Sequence, residues 1–212
     1  MTHAASARST TRLGIAPWVM WGLATVFYCY EFMLQVSPNV MKEDLMRDFL
    51  LTGTSFGTMV AFTTFAYTTM QLPAGVMLDR VGPRRLLTFA TLSCAIGVLL
   101  FGSATTFGMA AIGRLMIGFG SAFAVVSCFR VAASFFPNNR FALISCLTVT
   151  IGMMGAAGGG LPINALVQSV TWRPAMVGFG VFGLILTFLI WTVLRDQPAG
   201  DPFKRGDDSS SS

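Results

Sequence analysis

Thirty consecutive residues, Phe49–Leu78, carry no charged side chain, and after the short polar stretch Asp79–Arg85 another twenty-eight, Leu86–Gly113, carry none. A helix needs about 20 apolar residues to cross a bilayer, whose hydrocarbon core is about 30 Å thick. Runs this long satisfy their backbone hydrogen bonds inside lipid only as helices, and they lack the alternation of lipid-exposed strands. Only 11% of the 212 residues are charged, against about 25% in a soluble domain. The 54% hydrophobic content equally excludes disorder. The expected fold class is an all-α membrane protein.

Breakers and charges divide the chain into six expected transmembrane helices, at about 15–37, 53–78, 85–103, 107–133, 141–167 and 173–194. Residues 1–14 form an expected cytoplasmic N-terminal tail, 15–194 the bundle, and 195–212 a polar tail or the start of a linker. Ser37-Pro38-Asn39 is expected to close the first span, and Lys42–Asp48 to form a charged loop. With the N-terminus inside, nine Lys and Arg fall in inside segments (Arg8, Arg12, Arg80, Arg84, Arg85, Arg140, Arg195, Lys204, Arg205) and three outside (Lys42, Arg47, Arg173). That bias places both termini in the cytoplasm, for a multi-pass protein of a bacterial inner (plasma) membrane. The first apolar run is longer than a signal-peptide core, so it is expected to stay as a span. The net charge of +5 is spread over span ends and forms no stripe, so no nucleic-acid partner is expected. Cys29, Cys94, Cys128 and Cys146 lie in apolar runs without metal-ligand spacing and read as small buried hydrophobes.

Ionisable groups inside spans are costly, and by default they mark function. Glu31 shares a helix face with Gly22, Thr25, Tyr28 and Gln35 at intervals of three and four. It is either a cavity-lining carboxylate that takes up a proton or contacts substrate, or a carboxylate bonded within the bundle. Thr64, Tyr67 and Gln71 repeat the spacing in the second span and either line a cavity or join neighbouring helices. Arg114 enters the fourth span, where it can meet Glu31 or freed carbonyls; Arg130 is expected to snorkel or meet Asp79. Gly118 and Gly120, with the stripe Ser145, Thr148, Gly152, Gly155 and Gly159, are expected helix-packing positions, and Gly158–Pro162 invites a bend. No catalytic set is present: Ser121 lacks a base, the single histidine is His3, and no aspartate lies within a span. Neither a cofactor nor a metal is expected.

The stretch Gly75–Leu87, GVMLDRVGPRRLL, resembles the signature loop of the major facilitator superfamily, approximately G-x-L-A-D-R-x-G-R-K-x-x-L. Gly75, Asp79, Arg80, Gly82 and Leu87 match in place, Arg84 keeps the lysine's charge, and Pro83 replaces a basic residue. GRLMIGFG is similar to the family's fourth-helix motif R-x-x-x-G-x-G through Arg114, Gly118 and Gly120, and TWRPAMVGFG and LRDQP look like the ends of its sixth helix. The fifth span departs from the antiporter motif G-x-x-x-G-P-x-x-G-G by lacking the Gly-Pro pair. The resemblance implies a conformational latch at Gly75, Asp79, Arg80, Gly82 and Arg84, and links Arg114 to proton coupling or gating.

It also implies a fold of twelve helices in two six-helix halves with solute bound between them near the midplane. This chain supplies one half. An interrupted frame, a second chain, or a homodimer would account for the other, and the interrupted frame is the preferred reading. The expected function is secondary active transport, proton- or ion-coupled, of a small polar solute, symport being the expected mode. Its alternative is a non-transporting bundle that is a remnant or a partner-binding subunit. The expected partners are a small-molecule solute, the lipid bilayer and that second half or copy.

Overall fold

A computed structural model describes residues 15–194; the two tails lie outside the described residues. Among the described residues there are nine helices and no strand: α1 (Ile15–Val40), α2 (Lys42–Asp48), α3 (Gly53–Val81), α4 (Pro83–Gly102), α5 (Phe107–Ser121), α6 (Ala124–Phe135), α7 (Asn138–Gly158), α8 (Gly160–Val170) and α9 (Trp172–Val193). Taking α5–α6 and α7–α8 each as one span, five helices are long and apolar enough to cross a membrane. The threonine-rich α3 reaches that standard only together with α2, from which it turns by 113°, giving six.

Two boundaries differ from expectation. Pro38 does not end the first span, because α1 continues through it to Val40. The charged segment that follows is not a loop but the helix α2, with Glu43 and Asp44 in its first turn and Arg47 in its last, the order that suits a helix dipole.

The turn between α3 and α4 is a single residue, Gly82, with φ 85° and ψ 157°, a conformation open to glycine and strained for any residue with a Cβ. Pro83 then occupies the first turn of α4, where its missing N–H would be unpaired anyway and its fixed φ suits helix entry. This accounts for the proline as a starting signal. The fourth span breaks at Ala122–Phe123, where Phe123 N bonds Gly120 O in a tighter i→i−3 turn before α6 begins. The fifth is interrupted at Gly159, inside the glycine run that invites a bend.

Helix α4 sits centrally, packed along α5 and α9, while α3 packs on α5 and α1 packs on α6 and α7. Small residues set these approaches. A Cβ on Gly118 would overlap the Thr63 backbone, and one on Gly120 would overlap Ala90 O and Cys94 Sγ. On α7, Gly152 lies against the Tyr28 ring and Gly155 against Cys29, and at the break that follows Gly159 lies against Met33. Without a hydrophobic effect between helices in lipid, such close van der Waals contact holds them together. Cys94 and Cys128 are buried and Cys29 is half-buried, but Cys146 is exposed, contrary to the expectation of four buried thiols.

At the α2 end of the bundle, Asp48 ties α2 to α9. Trp172 Nε1 donates to Asp48 Oδ2 at 2.9 Å, and Arg173 Nε lies 3.7 Å from the same oxygen. Arg173 also donates to Ala104 O and stacks over Trp172. The clasp follows Thr171, whose φ of 73° lies in the left-handed region.

Candidate functional site

The Pro38 ring has no N–H to give to Leu34 O, the carbonyl one turn earlier. Two side chains take that carbonyl instead: Arg114 Nη1 donates to it at 2.9 Å and Ser37 Oγ at 2.8 Å. The proline therefore makes a membrane-depth acceptor, and Arg114, 1% exposed, fills it. The guanidinium also lies over the Phe101 ring, 5.6 Å from its centroid, and its Nε has no partner.

Glu31, one turn before Leu34, is fully buried. One carboxylate oxygen accepts from Gln35 Nε2 at 2.5 Å, and the Ser121 hydroxyl lies beside the group. The other oxygen, Oε1, is unpartnered. Among the described residues no ion pair joins Glu31 to Arg114. Of the two partners open to Arg114, the freed carbonyl is the one it takes. The break between α5 and α6 brings Ser121 to Glu31, and Thr63 Oγ1 donates to Arg114 O at 3.1 Å, tying α3 to the same point.

Tyr28, 6% exposed, and the half-buried Tyr67 lie within electrostatic reach of Glu31, with Gln71 against Tyr67. Gly22 and Thr25 instead line an apolar groove on another side of α1, so the face read from spacing divides. On the outer surface of α3, Gly57, Ala61, Thr64 and Thr68 form an exposed small and polar stripe. On a second exposed face, along α7 and α8, Cys146, Thr150, Ala157, Asn164 and Gln168 are interspersed with the exposed Met154 and Leu161. Helix α3 packs on α5, and α7 on α1 and α6, so the helices that bear these faces neighbour those that hold Glu31 and Arg114.

The signature-loop residues cluster at the opposite end from Asp48. Asp79 Oδ1 lies 3.6 Å from Arg130 Nη1, with both side chains substantially exposed. Arg84 is used within the bundle: Nε and Nη2 donate to Trp191 O at 3.1 and 2.8 Å, and the guanidinium stacks 4.4 Å from the Trp191 ring centroid. Trp191 O is one of the last α9 carbonyls, which have no amide partner within the helix. Arg80 is exposed, and a Cβ on Gly75 would meet nothing within 4 Å.

Sequence reasoning did not find Ser37, Thr63 or the Leu34 carbonyl as parts of this site. A proline four residues after a carbonyl in a continuing helix is the signal that could have found the last. Ser121 was weighed as a nucleophile, and its place beside Glu31 depends on a break that no proline announces.

The sequence matches the Major Facilitator Superfamily over residues 20–211. It is 22% identical over 177 residues to the "Probable sulfoacetate transporter SauU" of Cupriavidus necator, covering 84% of this chain and 41% of that one. It is 25% identical over 170 residues to the "Probable galactarate/D-glucarate transporter GarP" of Escherichia coli, covering 77% and 38%. The fold is similar to that of a bacterial homolog of the human lysosomal transporter Spinster, in an inward-facing, occupied conformation. The TM-score is 0.75 at 16% identity, over 88% of this chain and 46% of that chain. The chain thus spans about two fifths of the curated relatives' length, and its bundle corresponds to one half of the twelve-helix fold. A match over most of its length identifies an integral membrane chain of a transporter family: this chain belongs to the Major Facilitator Superfamily.

Proposed function

We propose that the chain is the N-terminal half of a secondary transporter for small organic anions, with Glu31 as its proton-carrying group. The observation that carries this reading is Glu31 itself, a buried carboxyl with one oxygen held by Gln35 and the other unpartnered. A protonated carboxyl donates one hydrogen bond and an ionised one only accepts, so a change of proton changes which neighbours it can hold. Arg114, one turn along the same helix contact, supplies the positive charge that an anion or an ionised Glu31 would draw on. The exposed polar stripes of α3 and α7–α8 support an aqueous or protein-covered face beside it. The two relatives described above are named for a sulfonate-bearing carboxylate and for dicarboxylates, which supports anions as the solute class. Gly75, Asp79, Arg80, Gly82 and Arg84 form the latch end, held in the cytoplasm with both termini, and symport is the mode we assign.

The test is uptake by vesicles containing the chain assembled with a second six-helix half, under an imposed pH gradient, with sulfoacetate and glucarate as probes. Accumulation should follow the gradient, and Glu31→Gln should abolish that dependence while membrane insertion is kept. Uptake with unchanged pH dependence in Glu31→Gln removes the residue from the mechanism. The alternative reading is a non-transporting bundle that binds a partner. No flux of either probe under any gradient decides for that reading.

A further inference from the structure

Between α1, the α7–α8 span and α9 lies an apolar groove of about 670 Å³ that the transport reading does not use. It runs along α1 from Trp21 to Met33 and along α9 from Pro174 to Phe182, with Val170 of α8 on its rim. At about 1.5 Å per residue, the α1 wall is about 18 Å long. One leaflet of a bilayer with an apolar core of about 30 Å is about 15 Å deep. The α1 wall lies inside the candidate span Pro17–Val40, which sets most of the groove against the hydrocarbon core.

Two glycines keep it open. Gly22 and Gly178 line the groove, and a Cβ on either would meet nothing within 4 Å. They differ from Gly180 and Gly183 on the same α9, which are pressed against Leu99 and Tyr30. Glycine inside a helix costs about 0.5–1 kcal/mol relative to alanine, and at these two positions no neighbouring helix uses the space gained. Across the groove's far end stands Trp21, its indole fixed by a 2.8 Å bond from Nε1 to Thr148 Oγ1. The opposite rim, Val170 and Pro174, is at the junction of α8 and α9, where the chain leaves the apolar core.

The lining is almost wholly apolar, with the unpartnered Thr25 hydroxyl as an exception, so water and polar solutes gain little from it. At this depth the surrounding solvent is acyl chains, whose many weak dispersion contacts grow with every wall they touch. We propose that the groove seats one acyl chain of a membrane lipid, entering at the Val170–Pro174 rim and ending against Trp21. Three helices enclose that chain, where an ordinary boundary lipid touches a convex surface.

The full chain, extracted in mild detergent from vesicles of dioleoyl phosphatidylethanolamine and phosphatidylglycerol, is tested by native mass spectrometry. One retained lipid per chain is expected, falling roughly tenfold in Gly22→Leu and Gly178→Leu, a change of about 1.4 kcal/mol in retention free energy. Gly57→Leu, at an open position on α3, should keep it. Helix content and melting of each variant report whether it folds. A second measurement needs no variant: lipid with a photoreactive group on its acyl chain should cross-link to 21–33 and 166–182 above the other lipid-exposed segments. No retained lipid, equal retention in the filled variants, evenly spread cross-links, or a dimer of the chain lost on filling would each overturn the proposal.

Discussion

Arg114 sits at membrane depth with a carbonyl and an aromatic ring as partners, and without a carboxylate within ion-pair distance among the described residues. A buried charge without a full set of partners is expensive, and removing such groups in favour of apolar ones of similar volume often stabilises by about 1–4 kcal/mol. Arg114→Met should therefore raise the melting temperature of the purified chain while eliminating any gradient-driven uptake. A lowered melting temperature would show that the guanidinium holds the fold together. Gly118 should behave in the opposite sense. Its hypothetical Cβ overlaps the Thr63 carbonyl on α3, so Gly118→Ala must spread α3 from α5 and strain the bond from Thr63 Oγ1 to Arg114 O. Overpacking of this kind costs about 1–3 kcal/mol, whereas Gly57→Ala, made in open space on α3, should gain about 0.5–1 kcal/mol from helix propensity. Equal effects at the two positions on thermal melting would contradict the close packing of α5 on α3.

Arg84 shows how an element can end. Helix α9 runs into Leu194 with its last carbonyls unpaired within the helix, and Arg84, reaching from the first turn of α4, donates twice to Trp191 O. Arg84→Ala should loosen this last turn by roughly 1 kcal/mol, kept small because the bonds are exposed. Hydrogen exchange at Ile190–Leu194 should quicken several-fold, with α4 beyond its first turn unchanged; unaltered exchange would separate the pair from α9 stability. The α9 span itself was legible in the sequence, as were the others, because twenty-residue apolar runs leave few alternatives in lipid. Element ends were less legible. Pro38 reads as a stop, and only the arginine 76 positions later in sequence, sharing the freed carbonyl, explains why the helix continues. The Asp48–Trp172 bond spans 124 positions, beyond any periodicity. Glu31, Gln35 and Arg114 were legible as residues out of place in an apolar run, as were the Glu31–Gln35 face and a freed carbonyl as one option for Arg114. Which carbonyl, and Ser121 beside Glu31, were not, because a single sequence does not give the depth at which helices cross.

At the scale of the molecule, the exposed polar stripes and the apolar groove make opposite demands on their surroundings. Thr64 and Thr68 on α3 suit water or protein, while on α7–α8 Thr150 donates to Cys146 O and Gln168 to Asn164, which leaves those groups with part of their hydrogen-bonding capacity unused. The α7–α8 helix is also the least buried of the candidate spans, which fits a face awaiting cover from a second six-helix half. The groove calls for lipid. The four cysteines report on both, because a thiol reacts as thiolate and so needs water. Exposed Cys146, on the α7 stripe, should be labelled first by a water-soluble maleimide in vesicles. Cys29, half-buried in the groove, should react far more slowly, and buried Cys94 and Cys128 only after unfolding. Comparable rates at Cys29 and Cys146 would mean that the groove is wet, and a silent Cys146 would turn the α7 stripe towards lipid. Supplying a second six-helix half should then protect Cys146 and leave Cys29 as it was, because the stripe and the groove lie on different sides of the α1–α7 pair.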